Sequence, residues 1–471
     1  MALLVGCRTM ELLTFCIFSL YISYIADGSG FIGVNYGRVA NNLPSASKVV
    51  QLLKSQGLDR VKVYDTDPAV LRALSGSGIK VTVNLPNELL SSAARRPSFA
   101  LSWVQKNIAA YHPSTAIEAV AVGNEVLVDP HNTTRFLLPA MYNIQKALKR
   151  YNLDTHIKVS SPVALSALRS SYPSSSGSFL VSSVFKPMLD FLRTTGAPLM
   201  INVYPFFAYE SNADVISLDY ALFRPNSGSI DGGNGLKYFS LFDAQVDAVF
   251  AAMSALGYDD IPITVSETGW PSMGDQHEIG ATVENAADYN KNLVHRVLAG
   301  GGTPLRPHAN LTVFLFALFN ENKKPGPTSE RNFGLFYPDG RKVYDITTKG
   351  PYNDKDVQTW CVAKGDVGPQ KLQAALDYAC GEGGADCHMI QPGSACFDPN
   401  TLEAHASYAF NTYYQKKGRA GGTCYFGGAA FVVSHQPRYG SSMNLRLAWG
   451  KLDEGMANVS SRLEIEGEQE N

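Results

Sequence analysis

Two glutamates stand where apolar, strand-forming runs of the sequence end. Glu125 closes the run IEAVAVGNE, and Glu267 lies near the end of PITVSETGW. Buried strands normally exclude an unpaired carboxylate, because its desolvation is unfavourable. Judged alone, each glutamate is most simply read as a strand-terminal residue that meets solvent. Two acids in matching positions instead favour chemistry in which one carboxyl donates a proton and the other attacks or directs water.

The segments that must position these acids alternate between two patterns. Eight short apolar runs rich in β-branched residues are separated by segments with helical periodicity, such as SASKVVQLLKSQG and FDAQVDAVFAAMSALG. The eight runs are FIGVNYG, DRVKVYD, IKVTVNLP, IEAVAVGNE, HIKVSSPV, PLMINVYPF, PITVSETGW and LTVFLFALFNE. Such repeats predict an α/β fold, the (β/α)8 TIM barrel. Doubly wound sheets also alternate, but they usually have fewer strands and a Gly-rich phosphate turn, which is absent here.

Polar and aromatic residues recur at the carboxyl ends of these runs, where barrels of this fold place their active sites. Packing alone would not require such residues there, whereas they can bond hydroxyl groups and stack on sugar rings. The pattern therefore predicts a carbohydrate cleft, with Glu125 and Glu267 facing each other across its mouth. The recurring residues are Tyr36, Tyr64, Asn84, Asn124, Asn202, Tyr204 and Glu321.

Bulk composition narrows the class of function. The chain has 471 residues, 45% of them hydrophobic, which allows one large core and a smaller appendage. Its net charge is −2, and no stripe of basic residues provides an electrostatic surface for nucleic acid. An enzyme acting on a neutral substrate fits this composition better.

The N-terminal 30 residues have the pattern of a secretory signal peptide. An arginine precedes an apolar run of about fifteen residues, and small residues follow that run. A signal anchor is the alternative interpretation, although the apolar run is short for a membrane span. Secretion would make three sequons candidate glycosylation sites, at Asn132, Asn310 and Asn458. We expect no transmembrane span.

Five cysteines lie close together near the C-terminus. Within a secreted chain this clustering predicts a small module stabilised by disulfides. Metal binding is the alternative, but the C-x-x-C spacing of zinc sites is absent, and we expect no metal and no cofactor. The five are Cys361, Cys380, Cys387, Cys396 and Cys424.

The barrel region resembles plant endo-β-1,3-glucanases of glycoside hydrolase family 17. The matching stretches are IGVNYGRVANNLPS (32–45), VKVYDTDPAVL (61–71), AVGNEV (121–126), INVYPFF (201–207), VSETGWPS (265–272) and FNENKKPGPTSERNFGLFYPDG (319–340). This resemblance implies a retaining mechanism with Glu125 as proton donor and Glu267 as nucleophile, supported by Glu321 and Lys324. It implies that Asn124 bonds the sugar 2-hydroxyl. The implied sugar subsites comprise Tyr36, Tyr64, Asn84, Asn202, Tyr204, Phe207, Trp270, Glu330 and Phe336.

The C-terminal region resembles the X8 module, a family 43 carbohydrate-binding module for β-1,3-glucan, expected to be small and mainly helical. The resemblance implies the disulfides Cys361–Cys424 and Cys380–Cys387 and leaves Cys396 as a free thiol, because the family's sixth cysteine is missing. We expect a signal peptide at 1–30, the catalytic domain at 31–347, a linker at 348–359, an incomplete X8 module at 360–442 and a polar, disordered tail at 443–471.

These features predict a secreted endo-hydrolase of β-1,3-glucans such as callose, located in the extracellular space or cell wall. A transglucosylase that passes the intermediate to another sugar is one alternative. A non-catalytic glucan-binding wall protein is the other, and the intact Glu125, Glu267, Glu321 and Lys324 argue against it. The expected partner is the polysaccharide. We expect a monomer, with a disulfide dimer through Cys396 as the alternative.

Overall fold

A computed structural model describes residues 30–128, 131, 133–300, 302–348, 360–365, 367–419 and 423–433. The predicted signal peptide up to residue 29, the sequons at Asn132 and Asn458, the linker beyond residue 348, the end of the module from residue 434 and the tail lie outside the described residues. The chain divides into two compact units, residues 1–352 and 353–471.

The first unit is built around one parallel sheet of nine strands in the order β5-β4-β3-β2-β1-β9-β8-β7-β6. The strands are β1 (Phe31–Tyr36), β2 (Arg60–Val63), β3 (Lys80–Leu85), β4 (Ala116–Val122), β5 (Lys158–Ser160), β6 (Pro162–Ala164), β7 (Leu199–Asn202), β8 (Ile263–Thr268) and β9 (Thr312–Leu315). Only Ser161 separates β5, which pairs with β4, from β6, which pairs with β7. The fifth strand of the barrel is therefore split, and the sheet closes across this split.

Helices connect the strands and cover the sheet. They are α1 (Ala46–Gln56), α2 (Pro68–Leu74), α3 (Leu90–Arg95), α4 (Pro97–Val104), α5 (Thr134–Arg150), α6 (Ser182–Thr195), α7 (Pro205–Ser211), α8 (Leu218–Ala221), α9 (Leu241–Ser254) and α10 (Val283–Leu298). Several begin at side chains that cap the free backbone amides of the first turn, namely Asp67, Ser240 and Thr282. The predicted (β/α)8 barrel is confirmed, with the fifth run HIKVSSPV forming two short strands.

Two antiparallel hairpins interrupt the barrel repeats, and the sequence analysis did not predict them. One pairs residues 168–170 with 178–179, and the other pairs residues 229–230 with 237–238. The first hairpin rests on α9, since the Ser174 hydroxyl donates to the carbonyl of Ala244 at 2.8 Å. Both belong to loops at the carboxyl ends of strands, where barrels vary most.

The second unit has a small core of its own. Strand β10 (Trp360–Ala363) pairs antiparallel with β11 (Ala430–Val433), and helices α11 (Pro369–Cys380) and α12 (Leu402–Lys416) pack together. The expected mainly helical module is thus shown in part, because a two-stranded sheet accompanies the helices. Its disulfides are Cys361–Cys424 and Cys380–Cys387, while Cys396 is a buried free thiol.

Candidate active site

Glu267 is the fifth residue of β8, a strand in which every residue is buried. Its side chain accepts three hydrogen bonds. Lys62 Nζ and the Tyr64 hydroxyl donate to Oε1, each at 2.8 Å, and the Tyr204 hydroxyl donates to Oε2 at 2.9 Å. The strand end therefore places this carboxylate in a pocket whose donors match its two oxygens.

Electrostatics keep Glu267 ionised despite its burial. Burial alone would raise the pKa of the Glu267 carboxyl, but the charge and hydrogen bond of Lys62, the Tyr64 hydrogen bond and the charge of Lys324 together lower it below its ordinary value. The pKa of Tyr64 and that of Tyr204 are raised well above the usual value by burial and by the adjacent Glu267 charge. Both phenols stay protonated and remain donors.

Lys62 is the unexpected member of this group. It lies inside β2, its side chain is 0% exposed, and its Nζ lies 4.0 Å from the centre of the Tyr64 ring. Burial lowers the pKa of the Lys62 ammonium, and the ion pair with Glu267 opposes that effect. A lysine is rarely fully buried without a partner. Its partner here is the carboxylate that the sequence marked as the nucleophile.

Glu125 follows β4 through a sharp turn at Gly123 and Asn124. Its φ of 51° lies in the left-handed region that residues with a side chain seldom occupy, and its amide donates to the Pro162 carbonyl at 2.9 Å. Asn202 Nδ2 donates to Oε1 at 2.8 Å. Burial and the Glu267 charge raise the pKa of the Glu125 carboxyl above its ordinary value, against the opposing effects of Asn202 and Lys62.

Asn202 connects the two carboxyl groups structurally. It is the register partner of Glu267 across β7 and β8, and its Oδ1 accepts a 2.7 Å hydrogen bond from Ser266, the residue before Glu267. The Ser266 bond fixes the amide so that its Nδ2 points to Glu125. A single asparagine thus orients Glu125 relative to the strand that carries Glu267.

Glu125 and Glu267 line one cavity of about 730 Å³ at the carboxyl ends of the strands. The same cavity includes the predicted supporting residues Glu321 and Lys324. It also includes six of the predicted subsite residues, namely Tyr64, Asn124, Asn202, Tyr204, Phe207 and Glu330. The arrangement combines charged groups with exposed aromatic faces, as a sugar site requires.

The structure places four further predicted subsite residues inside the protein. Tyr36 packs edge-on to the Phe319 ring, Phe336 is 2% exposed, and the Trp270 indole N–H donates to the Gly280 carbonyl at 2.8 Å. Asn84 is 3% exposed, and its amide nitrogen donates to the carbonyls of Ala121 and Gly123 at the end of β4. These four residues are not among those that line the cavity, and their contact with sugar stays a prediction.

Glu321 and Lys324 lie on the loop after β9. Glu321 Oε1 accepts a 2.7 Å hydrogen bond from the Val39 amide, and burial raises the pKa of this carboxyl. A Cβ at Gly37 would overlap the Glu321 carboxylate, so the close approach requires glycine. Lys324 pairs with Glu330 at 2.8 Å and lies 4.2 Å from the centre of the Phe316 ring.

Several cavity residues were missed by the sequence analysis. They are Arg38, Phe316 and Phe333, whose segments were quoted only as motifs, and Gln245, which lies on a helix. Lys62 was missed as well, although a lysine at the centre of the short apolar run DRVKVYD is a signal that could have identified it. No comparable signal marks Gln245, because a polar residue on a helix is ordinary.

The C-terminal module carries its own aromatic pocket of about 500 Å³. Tyr425 is 65% exposed and Tyr378 is 46% exposed, so their rings are available to a ligand. Tyr413 and Phe426 complete the aromatic wall, with Lys371 beside them. Phe426 stacks on Phe410 of α12, with ring centres 4.2 Å apart.

Other predicted features can be examined in part. Asn310 is exposed just before β9, as a glycosylation acceptor must be. Across the residues that the structure describes, no helix combines the length and the apolar character needed to cross a membrane. Within the same residues, no group of three or more His, Cys, Asp or Glu side chains is arranged so that it could hold a metal ion.

Comparison with known proteins identifies the family. Residues 32–348 match glycosyl hydrolases family 17, and residues 359–431 match the X8 domain. The chain belongs to glycosyl hydrolase family 17. The family 17 match runs from the second residue of β1 to beyond β9 and includes every residue of the cavity described above, which confirms the resemblance drawn from the sequence motifs.

Relatives and solved structures agree with this membership. The chain is 44% identical over 431 residues to Glucan endo-1,3-beta-glucosidase 3 of Arabidopsis thaliana, covering 90% of this chain and 86% of the relative. It is 41% identical over 448 residues to Glucan endo-1,3-beta-D-glucosidase of Olea europaea, covering 92% and 97%. CJP38, a beta-1,3-glucanase and allergen of Cryptomeria japonica pollen, superposes with a TM-score of 0.66 at 44% identity, over 68% of this chain and 100% of that one.

Proposed function

We propose that this family 17 protein hydrolyses internal (1→3)-β-D-glucosidic linkages with retention of anomeric configuration. One observation carries the proposal: two carboxyl groups line one cavity, and their pKa values are shifted in opposite directions. Retaining glycosidases need one protonated and one ionised carboxyl. The names of the relatives support β-1,3-glucan as the substrate.

In the first step, Glu125 donates its proton to the glycosidic oxygen while the Glu267 carboxylate attacks the anomeric carbon. The bond to the leaving glucan breaks, and a covalent glucosyl-enzyme forms at Glu267. The raised pKa of Glu125 keeps the proton available for this transfer. The lowered pKa of Glu267 keeps the nucleophile ionised.

In the second step, Glu125 removes a proton from water, and the water oxygen attacks the anomeric carbon. Glu267 then departs as a carboxylate, and the sugar leaves with its original configuration. The donors Lys62, Tyr64 and Tyr204 stabilise the charge that returns to Glu267. They act as positioning residues, because each holds the carboxylate through a direct hydrogen bond.

Asn124 is suited to bind the substrate beside the reacting carbon. Its Oδ1 is buried without a hydrogen-bond partner, and the residue lines the cavity. A sugar hydroxyl that donates to Oδ1 would satisfy this acceptor. We assign the contact to the 2-hydroxyl, where hydrogen bonds strengthen in the transition state of glycoside hydrolysis.

The C-terminal module would bind the same polysaccharide away from the reacting bond. Its wall of Tyr378, Tyr413, Tyr425 and Phe426 offers apolar faces to sugar rings. The two disulfides fit a protein made in an oxidising compartment, in agreement with secretion. We place the protein in the extracellular space or the cell wall, with glucans such as callose as substrate.

The Glu267→Ala variant tests the mechanism on a soluble β-1,3-gluco-oligosaccharide. We expect turnover to fall at least about a thousandfold. Added azide should restore cleavage by attacking the anomeric carbon in place of the missing carboxylate, which gives an α-glycosyl azide of inverted configuration. The matched control is Glu118→Ala, since Glu118 is a half-buried glutamate on β4 that pairs with Arg60. Activity of Glu267→Ala within about tenfold of the parent protein, or an inverted hydrolysis product from the parent protein, would contradict the assignment.

A further inference from the structure

Gln245 is a buried amide that the catalytic steps do not use. It lies on α9, 6% exposed, and its Oε1 is buried without a hydrogen-bond partner. The residue nevertheless lines the cavity that holds Glu125 and Glu267. Buried amide oxygens in proteins are nearly always paired, so an unpaired one facing a cavity indicates a ligand group that completes it.

Helix α9, which carries Gln245, contacts α7, and residues of α7 and of the segment after β6 line the same cavity; together they are called the wall here. Leu165 and Ser166 follow β6, while Phe207 and Asn212 belong to α7 and the residue after it. This wall combines the exposed Phe207 ring with hydroxyl and amide groups, which is the composition of a sugar subsite. The hairpin at 168–179 fixes α9 in place, because the Ser174 hydroxyl donates to the Ala244 carbonyl beside Gln245.

The chain connectivity places this wall on the side of Glu125. The Glu125 amide donates to the carbonyl of Pro162 in β6 at 2.9 Å, and Leu165 and Ser166 of the wall directly follow that strand. The charged residues Arg38, Glu321, Lys324 and Glu330 line the same cavity from the loops after β1 and β9. An acid protonates the oxygen of the departing sugar, so the leaving group lies on the side of the acid.

We propose that Gln245 binds a hydroxyl group of a glucosyl residue in the leaving-group part of the substrate and so selects for oligomeric leaving groups. The sugar hydroxyl donates to Oε1, and Nε2 can donate to a second oxygen. This inference rests on the proposed function. It assigns Gln245 to specificity, without a role in proton transfer or nucleophilic attack.

The test compares two substrates in the full-length protein. Laminarihexaose has a leaving group made of glucosyl residues that can reach the wall, whereas the leaving group of β-laminaribiosyl fluoride is a fluoride ion that carries no sugar. We expect Gln245→Leu to lower kcat/KM about threefold to tenfold on the hexaose, mainly through KM, and to leave the fluoride unchanged, because one hydrogen bond is lost. Gln145→Leu is the matched control, since Gln145 on α5 also has an unpaired buried Oε1 but lies outside the cavity lining.

The outcomes distinguish a failure of the proposed function from a failure of the role assigned to Gln245. Failure of the parent protein to cleave either substrate would overturn the proposed function. Cleavage of both, with Gln245→Leu changing neither or changing both equally, would overturn the role of Gln245. An equal loss in Gln245→Leu and Gln145→Leu would indicate general destabilisation and would also overturn it. A loss confined to the hexaose supports the proposal.

Discussion

Replacing Lys62 by methionine removes the positive charge beside Glu267 with little change in side-chain length. The Lys62 ammonium is the leading opposing influence against the burial that would otherwise raise the pKa of Glu267. Without it, Glu267 accepts a proton at higher pH, and the ionised nucleophile is lost earlier as the solution is acidified. We therefore expect the acid limb of the kcat/KM profile to move towards neutral pH.

The geometry sets the size of this effect. Lys62 Nζ lies 2.8 Å from Glu267 Oε1. Two unit charges about 4 Å apart interact by about 4 kcal/mol at an effective dielectric constant of about 20. Tyr64, Tyr204 and the Lys324 charge remain in the variant and recover part of this free energy. Loss of even a third of this interaction would raise the pKa of Glu267 enough to lower kcat/KM about tenfold on the acid limb, relative to the parent protein at the same pH.

The measurement is kcat/KM against pH for a soluble oligosaccharide, with a melting curve for each variant. Lys62→Arg should keep the acid limb close to its original position, because it keeps the charge. Lys80→Met, at the exposed start of β3, should change neither measurement. An unmoved acid limb in Lys62→Met, in protein that melts as a folded unit, would refute the argument that Lys62 sets the ionisation of Glu267.

Three other predictions follow from the two units. The parent protein should show a bell-shaped profile of kcat/KM against pH, because activity appears as Glu267 ionises, with a pKa below the usual glutamate value, and disappears as Glu125 ionises, with a pKa above that value. A Glu125→Gln profile that keeps its alkaline limb would contradict this assignment. Replacing both cysteines of the Cys361–Cys424 bridge by serine should destabilise the C-terminal module by about 2–5 kcal/mol, measured by calorimetry, while hydrolysis of soluble oligosaccharides continues. Loss of that hydrolysis would show that the barrel depends on the module. Tyr425→Ala should weaken pull-down on insoluble β-1,3-glucan without changing soluble activity, because the exposed ring belongs to the module's aromatic wall; unchanged pull-down would exclude this wall as the binding surface.

The strands of the barrel could be predicted because their signal is local. Buried parallel strands form continuous apolar runs, and all eight runs appear in the sheet. The split at Ser161 between β5 and β6 could not be predicted, since it depends on which neighbour each half pairs with. The two hairpins were missed for a related reason, because their strands of two or three residues carry no periodicity.

The position of a residue at a strand end predicted the two carboxyl groups of the cavity more accurately than it predicted the other residues that line it. Glu125 and Glu267 follow directly from the rule that strand ends meet at one face of the barrel. The same rule also selected Tyr36 and Asn84, which are not among the residues that line the cavity. A strand end can point its last side chain towards the cavity or towards the surrounding helices, and a single-residue bulge changes that direction. A register shift of this kind lies in the pairing of β3, which carries Asn84, with β4.

The different protonation of the two carboxyl groups depends on the strands beside them more than on depth alone. Burial by itself acts to raise the pKa of both carboxyl groups, yet the pKa of Glu125 is raised and that of Glu267 is lowered. Glu267 accepts hydrogen bonds from Lys62 and Tyr64, at the end of β2, and from Tyr204, and Lys62 also supplies a positive charge. Glu125 accepts one hydrogen bond, from the neutral amide of Asn202. Ionised Glu267 then opposes ionisation of Glu125. We therefore infer that β2, a strand that carries neither carboxyl group, sets the proposed division of roles between acid and nucleophile.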